Sequence, residues 1–168
     1  MKDLRLAFQR GAPEGLTLTG DVDADWANDL SDRGSISSYV YKLAEGSDKL
    51  ESVALSSTEA EYIAGAHAAK EAIWLQRLLA ELGMPNHDPS VLRMDNQSAI
   101  AIAKNPQSYN RTKYTEVRHH YLRSKVEEEE LELEHIPTGD RVADPLTKAL
   151  NKEKHSKFAK EMGVLRPA

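Results

Sequence analysis

Apolar and polar residues alternate along the first third of the chain, as they do in half-buried β-strands. The alternation predicts a strand over residues 16–25, a second over 38–43 and a short third over 50–55. Between them, residues 28–34 and 44–49 carry Gly, Asn, Asp and Ser, which favour tight turns. Because short turns join successive strands, the three strands are predicted to form an antiparallel meander.

From residue 56 onward the pattern changes to alternating helices and strands. Residues 56–58 (Ser-Ser-Thr) are cap candidates for a long helix to about Leu82, which Gly83 and Pro85 end. Further strands are predicted over 91–95 and 131–136, and further helices over 98–104, 112–128, 141–150 and 152–161. This order predicts an α/β fold with one mixed five-stranded sheet, an antiparallel meander plus parallel strands, flanked by helices.

Size and composition fit an ordinary globular domain spanning residues 1–168. The chain has 40% hydrophobic and 29% charged residues and no cysteine, which excludes disulfides and thiolate metal sites. No apolar run approaches the length of a membrane span, so no membrane partner is expected. A net charge of −5 disfavours a nucleic-acid partner unless charge is segregated. Basic residues do cluster before the acidic run at 127–130: Arg111, Lys113, Arg118, Arg123 and Lys125.

Two acidic residues in the first half of the chain occupy positions that suit a metal site. Asp23 lies on the first strand, and Asp21 and Asp25 share its face because strand side chains alternate. Glu61 lies on a helical face of small residues, with Glu59 nearly opposite. Such a face suits a helix close to a sheet, with room around the acid. A solvated strand end and a Glu favoured by the helix dipole are the structural alternatives.

Two further acidic residues follow in the second half. Asp95 comes directly after a predicted strand, at the carboxyl end where ligand sites of open α/β sheets form, although Asn96 and Ser98 also suit a simple capping turn. Asp144 lies in the first turn of a predicted helix, where the helix dipole also favours an acid. Four carboxylates in these settings predict a site for two hard cations that clamp a phosphodiester for attack by water.

Together these segments resemble the ribonuclease H domain of copia-type LTR retrotransposon Pol polyproteins. The resemblance covers about residues 15–165 and is most specific in Ser56-Ser-Thr-Glu-Ala-Glu-Tyr62 and Asp95-Asn-Gln-Ser-Ala-Ile100. The matching stretches are 20–27, 53–64, 69–75, 95–100, 103–106, 111–113, 118–121 and 143–148.

The resemblance implies a ribonuclease H-like fold with Asp23, Glu61, Asp95 and Asp144 as a metal-binding catalytic tetrad for two Mg²⁺ or Mn²⁺ ions. It implies cleavage of the RNA strand of an RNA–DNA hybrid during reverse transcription. The reverse transcriptase and integrase portions of the parent polyprotein are implied as further partners. A cytoplasmic location within a virus-like particle is implied as well, with the nucleus as an alternative.

Polar and basic residues after the third acid are the predicted substrate contacts. These residues are Asn96, Ser98, Arg111, Lys113 and Arg118. Basic side chains would grip phosphates, and a solvated helix surface balanced by the acidic run is the alternative. For His119 and His120 a solvated or phosphate-facing role is favoured over metal binding. Trp26 and Trp74 are predicted to be core anchors.

The segment at 44–52 is shorter and more acidic than the basic segment usual at this point in the family. This difference supports a second hypothesis, a repurposed ribonuclease H-like binding or interaction module with little or no catalysis. A third hypothesis is another nuclease or integrase on the same type of fold. The third strand is expected to be truncated for the same reason.

Overall fold

A computed structural model of the chain describes residues 5–6, 17–25, 35–42, 48–52, 56–105, 116–147 and 149–165. Its strands are β1 (Arg5–Leu6), β2 (Thr19–Asp25), β3 (Ser35–Lys42), β4 (Asp48–Ser52), β5 (Ser90–Met94), β6 (Leu131–His135) and β7 (Val164–Leu165). Its helices are α1 (Ser57–Glu81), α2 (Gln97–Lys104), α3 (Glu116–Glu127), α4 (Asp144–Thr147) and α5 (Lys152–Glu161), with a 3₁₀ turn over Thr138–Asp140.

The main sheet has five strands in the order β4-β3-β2-β5-β6. The β2–β3 and β3–β4 pairs are antiparallel, whereas the β2–β5 and β5–β6 pairs are parallel. The predicted mixed five-stranded sheet is therefore confirmed, and its third strand is short, with five residues. A separate antiparallel pair, β1 with β7, was not predicted.

Helices cover both faces of this sheet. The larger core cluster joins α1, α2 and α3 to one face and includes Val22, Tyr62, Leu92 and Leu122. The smaller cluster joins α4 and α5 to the opposite face, where Phe158 is 1% exposed. Because side chains alternate along a strand, Val22 on the first face places Asp23 on the second. The acid therefore faces the α4 side of the sheet.

Helix α1 lies close to the sheet because its inner face consists of small residues, as predicted. Ala64, Ala68 and Ala72 are fully buried, and the Tyr41 hydroxyl of β3 donates a hydrogen bond to the carbonyl oxygen of Ala68. The helix begins where the Ser56 side chain accepts a hydrogen bond from the Glu59 amide at 3.1 Å. These contacts fix the position of the first turns of α1, which carry Glu61.

Gly65 of α1 packs closely against side chains of β5 and α3. A Cβ atom at this residue would lie 3.0 Å from Met94 Cε, 3.2 Å from Met94 Sδ and 3.3 Å from Leu122 Cδ2. Replacement of Gly65 by Val is therefore expected to lower the free energy of unfolding by about 1–3 kcal/mol through overpacking. Urea denaturation measures this change. Gly139→Val is the matched control, since no atom lies within 4 Å of the corresponding Cβ, and a loss there as large as that at Gly65 would contradict the packing argument.

Two predictions were wrong, one about the length of a helix and one about the burial of a side chain. The helix expected over 141–150 is reduced to α4, four residues long; Arg141, at its expected start, has extended backbone, and so does Asn151, which caps α5 by accepting a hydrogen bond from the Lys154 amide. Trp74 is 55% exposed instead of a core anchor. It lies three and four residues from the exposed Arg77 and Lys70, so helical periodicity places it on the solvent face of α1.

Several predictions fall outside the described residues: the turn at 28–34, most of the turn at 44–49, Trp26, and the first part of the helix expected over 112–128. Within the part of the chain that the structure describes, no helix combines the length and the apolar character needed to cross a membrane.

Candidate functional site

The four predicted carboxylates are brought together by four different elements. Asp23 lies on the central strand β2, Glu61 in the first turns of α1, Asp95 directly after β5 and Asp144 at the start of α4. The parallel register pairs Asp21 with Arg93; Asp23 and Asp95 follow two residues later, and both form an ion pair with Arg141. Sequence separations of up to 121 residues are thus closed by sheet pairing and by helix packing.

The guanidinium of Arg141 lies at the centre of these carboxylates and forms an ion pair with each. Its Nη1 atom is paired with Asp23 Oδ1 and lies 3.2 Å from Glu61 Oε1 and 3.1 Å from Asp95 Oδ1. Its Nη2 atom lies 3.1 Å from Asp144 Oδ1. Four acids and one guanidinium leave an excess of negative charge at the centre.

The site is largely shielded from water. Asp23 is fully buried, Glu61 is 4% exposed and Arg141 is 2% exposed. Asp95 is the most accessible of the four acids, with 19% of its side chain exposed. Since buried charges require compensation, the guanidinium is the group that allows these carboxylates to lie so close together.

Two threonine hydroxyls orient carboxylates of the site. Thr147 of α4 donates a hydrogen bond to Asp23 Oδ2. Thr138, in the 3₁₀ turn after β6, donates to Asp95 Oδ2 at 2.8 Å. Hydrogen bonds of this kind fix the direction of carboxylate oxygens around a charged centre. The segment 138–147 therefore supplies two hydroxyls, an acid and the central arginine.

The acidity of Glu61 is strongly perturbed. Burial, and then the nearby charges of Asp95 and Asp23, raise the pKa of Glu61 to about 8. Arg141 and a hydrogen bond from the Ala24 amide to Oε1, at 3.3 Å, act in the opposite direction. The second oxygen, Oε2, is buried and accepts no hydrogen bond from any described residue. Glu61 thus has one buried acceptor available to a further ligand.

The arrangement differs from a ready-made metal centre. Among the described residues, no three His, Asp or Glu side chains are arranged to hold a metal ion as they stand. The reason is visible in the ion pairs: each of the four carboxylates is directed at Arg141. The composition of the site suits a hard cation, and its centre is filled by a cationic side chain.

Arg141 was not predicted as a site residue. The sequence placed it only at the start of a helix, and an arginine in an irregular segment carries no periodic signal. Its spacing of three residues before Asp144 was the available indication, because residues three apart across a turn can form an ion pair. Its contacts with the other three acids depend on tertiary structure alone.

The predicted substrate contacts are only partly visible. Asn96 caps α2: its Oδ1 accepts a hydrogen bond from the Ala99 amide at 3.0 Å, and its Nδ2 donates to Thr58 Oγ1 at 3.4 Å. Ser98 is exposed on α2. Arg118 belongs to α3, whereas Arg111 and Lys113 lie outside the described residues.

The basic residues in the C-terminal part of α3 are engaged in contacts within the chain. Lys125 is paired with Glu128 and Glu130, as expected for a balanced helix surface. Arg123 donates a hydrogen bond to the Ile102 carbonyl at 3.4 Å, which ties α3 to α2. His120 is exposed. In the predicted basic cluster, Arg123 and Lys125 are therefore engaged in contacts within the chain.

The architecture is a ribonuclease H-like fold. The N-terminal RNase H domain of rv2228c from Mycobacterium tuberculosis, solved as a fusion with maltose-binding protein, superposes with a TM-score of 0.52 at 12% identity, covering 88% of this chain and 99% of that chain. At that identity the likeness establishes the fold.

Sequence comparison identifies the family. The chain is 42% identical over 142 residues to the retrovirus-related Pol polyprotein from transposon TNT 1-94 of Nicotiana tabacum, covering 82% of the chain and 11% of the polyprotein. It is 36% identical over 156 residues to the Pol polyprotein from transposon RE1 of Arabidopsis thaliana, covering 90% and 11%. No family model matches the chain. The chain belongs to the same family as this segment of the transposon Pol polyproteins, which confirms the resemblance in sequence, and it spans about a tenth of their length.

Proposed function

We propose that the chain is a metal-dependent endonuclease that cleaves the RNA strand of RNA–DNA hybrids, with two Mg²⁺ or Mn²⁺ ions bound at the acidic site. The observation that carries the proposal is the convergence of four carboxylates from four elements on one cationic centre. One guanidinium carries a single positive charge against these four acids. An excess of buried negative charge is suited to a group with a higher positive charge than arginine has.

The donor set fits the proposed ions. Mg²⁺ and Mn²⁺ prefer oxygen ligands, and carboxylates are their usual protein ligands. Asp23, Glu61, Asp95 and Asp144 supply eight such oxygens, of which Glu61 Oε2 is buried and accepts no hydrogen bond among the described residues. When bound, a pair of divalent ions activates a water molecule and stabilises the departing oxygen of a phosphodiester.

The residues of the chain contribute orientation and charge. Thr147 and Thr138 hold Asp23 and Asp95 through their second oxygens, so these carboxylates keep a fixed direction when their partner changes. Glu61 binds a cation only in its ionised form, and its raised pKa makes that ionisation dependent on a nearby positive charge. Asp95, the most exposed acid, lies where a substrate phosphate can reach the site.

A hybrid substrate would be distinguished by the 2′-hydroxyl groups and by duplex shape rather than by base edges. Ser98 and His120 are exposed on α2 and α3, and Arg111, Lys113 and Arg118 remain the candidates for phosphate contacts. We further propose that reverse transcriptase and integrase portions of a parent polyprotein act with this chain in a cytoplasmic particle, because its relatives are Pol polyproteins.

A substrate comparison tests the proposal. The purified chain is incubated with end-labelled RNA–DNA hybrid, double-stranded RNA, double-stranded DNA and single strands, each with Mg²⁺, with Mn²⁺ and with EDTA. The expected result is endonucleolytic cleavage of the hybrid's RNA strand with either ion and none in EDTA. Cleavage that persists in EDTA, or that is equal on double-stranded DNA, would contradict it; the latter favours the other-nuclease hypothesis.

The central position of Arg141 supports a second candidate function. A site whose four acids are all paired with an internal guanidinium is stable without metal, as expected for a binding or interaction module that has lost catalysis. The net charge of −5 points the same way. This candidate predicts no hybrid cleavage with either ion and weak hybrid binding. A steep loss of hybrid affinity with added salt, measured by fluorescence anisotropy, would count against it.

A further inference from the structure

The structure assigns Arg141 a role beyond charge balance: we infer that its guanidinium is a built-in competitor of divalent metal, which closes the carboxylate site and has to withdraw before metal binds. The inference rests on the proposed function, because it concerns the entry of the ions to the same site. Arg141 then sets the metal concentration at which the four carboxylates exchange the guanidinium for metal ions.

The competition follows from the use of the same atoms. Arg141 engages one oxygen of each carboxylate at distances of 3.1–3.2 Å for Glu61, Asp95 and Asp144, and it is also paired with Asp23. A metal ligand needs the same oxygens directed at the ion at a little over 2 Å. One set of carboxylates cannot converge on a guanidinium and on a metal ion at the same time.

The charges make the exchange possible. Four acids face a single guanidinium, so the arginine compensates only part of the negative charge that the site can carry. Divalent cations compensate more of it and are favoured at sufficient concentration. The guanidinium therefore lowers the affinity for metal without excluding metal.

Arg141 lies in an irregular segment from which its side chain can withdraw from the site. It lies between the 3₁₀ turn and α4, outside any regular element, and residues 137–140 before it are exposed. Gly139 has open space around it. Two contacts hold this turn: the hydrogen bond from Thr138 to Asp95, and an ion pair of 3.3 Å between Asp140 and Lys157. Withdrawal of the side chain thus requires neither the unwinding of a helix nor the separation of two strands.

In contrast to the Arg141 side chain, the backbone of the residues that follow it is anchored in the core. Val142 and Ala143 are buried in the smaller core cluster, and the Ser38 hydroxyl donates a hydrogen bond to the Ala143 carbonyl at 3.3 Å. Asp144 and Thr147 remain in place because they follow this anchor. The site can therefore lose its arginine while it keeps the acid and the hydroxyl that come next in the sequence.

The test is a calorimetric titration of Mn²⁺ into wild type, Arg141→Gln and Arg93→Gln. Arg93 is the matched control, because it also pairs with a buried acid, Asp21, at 3.9 Å and makes no ion pair with the four site acids among the described contacts. We expect Arg141→Gln to bind Mn²⁺ about tenfold more tightly or better, equal to about 1.4 kcal/mol. We expect Arg93→Gln to remain within about twofold of wild type, since it tests only the loss of one positive charge.

The outcomes separate the inference from the proposed function. Equal affinity in wild type and Arg141→Gln, or weaker affinity in the variant, overturns the inference and leaves the proposed function standing. Binding by Arg141→Gln alone supports the inference and favours the non-catalytic candidate for the wild-type chain. Absence of binding in both proteins overturns the proposed metal-dependent function, and the inference with it.

Folding of the variant is monitored by circular dichroism. If Arg141→Gln is unfolded in EDTA, recovery of the wild-type spectrum on addition of Mn²⁺ supports the inference, because the ion then replaces the missing charge. Arg141→Lys provides a second variant: an ammonium is a compact point charge that cannot bridge four carboxylates as a planar guanidinium does. Its Mn²⁺ affinity is expected to lie between those of wild type and Arg141→Gln, and an affinity below wild type contradicts the inference.

Discussion

Replacement of Asp23 by Asn is expected to reduce metal-dependent cleavage of an RNA–DNA hybrid by about a thousandfold or more. Asp23 lies at the middle of the site, paired with Arg141 and oriented by Thr147. Loss of its charge removes a ligand for the proposed ions, whose stabilisation of the transition state amounts to several kcal/mol. A factor of a thousand corresponds to about 4 kcal/mol. Initial rates of RNA-strand cleavage under single-turnover conditions measure the effect.

Asp21→Asn is the matched control for this prediction. Asp21 is on the same strand and the same face as Asp23 and is equally buried, but its described ion pair is with Arg93, at 3.9 Å. Its replacement is expected to leave the cleavage rate within about fivefold of wild type, a change of about 1 kcal/mol. If both variants lose activity to the same extent, burial of charge in β2 rather than the position of Asp23 in the site is what matters.

Replacement of Glu61 by Gln is expected to remove most of a strong pH dependence of stability in metal-free protein. The folded state raises the pKa of Glu61 from 4.5 to about 8. The native state therefore holds this proton more tightly than the unfolded chain does. Stability from protonated Glu61 is fully present below about pH 4.5 and is lost as pH rises to about 8. At about 1.4 kcal/mol per tenfold change in proton affinity, the loss is several kcal/mol.

Urea denaturation in EDTA at pH 5, 6.5 and 8 measures this dependence. In Glu61→Gln the group does not titrate, so the free energy of unfolding should fall less between pH 5 and 8 than it does in wild type. Glu59→Gln is the control, because Glu59 lies on the same turn of α1 and outside the site. Its profile should run parallel to that of wild type. A Glu61→Gln profile parallel to wild type would show that Glu61 is not the responsible group.

The positions of Asp23, Glu61 and Asp95 could be anticipated from local patterns. Strand alternation gave the face of Asp23, and a stripe of small residues gave a helix face that lies against a sheet. The buried residues Ala64, Ala68 and Ala72 bear out that stripe. The same periodicity also placed Trp74 beside Lys70 and Arg77. The prediction that Trp74 is a core anchor rested on the size of its side chain and did not take that spacing into account.

The C-terminal part of the site could not be anticipated in the same way. Residues 138–147 form a 3₁₀ turn, an irregular step and a four-residue helix, for which no period exists in the sequence. Thr138 and Thr147 acquire their roles only through contacts with Asp95 and Asp23, which lie 43 and 124 residues away in the chain. The roles of residues in an irregular segment follow from the residues they contact, and here those residues are distant in the sequence.

By itself the sequence determined the α/β class and the five-stranded sheet, because strand and helix periods are local properties of the chain, and it singled out four acids as candidates for a site. Only the tertiary structure decided what lies among those acids. The parallel pairing of β2 with β5 and the packing of α1 bring Asp23, Asp95 and Glu61 to one place, and the segment after β6 supplies Arg141, which pairs with all three. The physical reason is that buried like charges cannot be held together without a counter-charge, and the counter-charge is selected by three-dimensional proximity rather than by spacing along the chain.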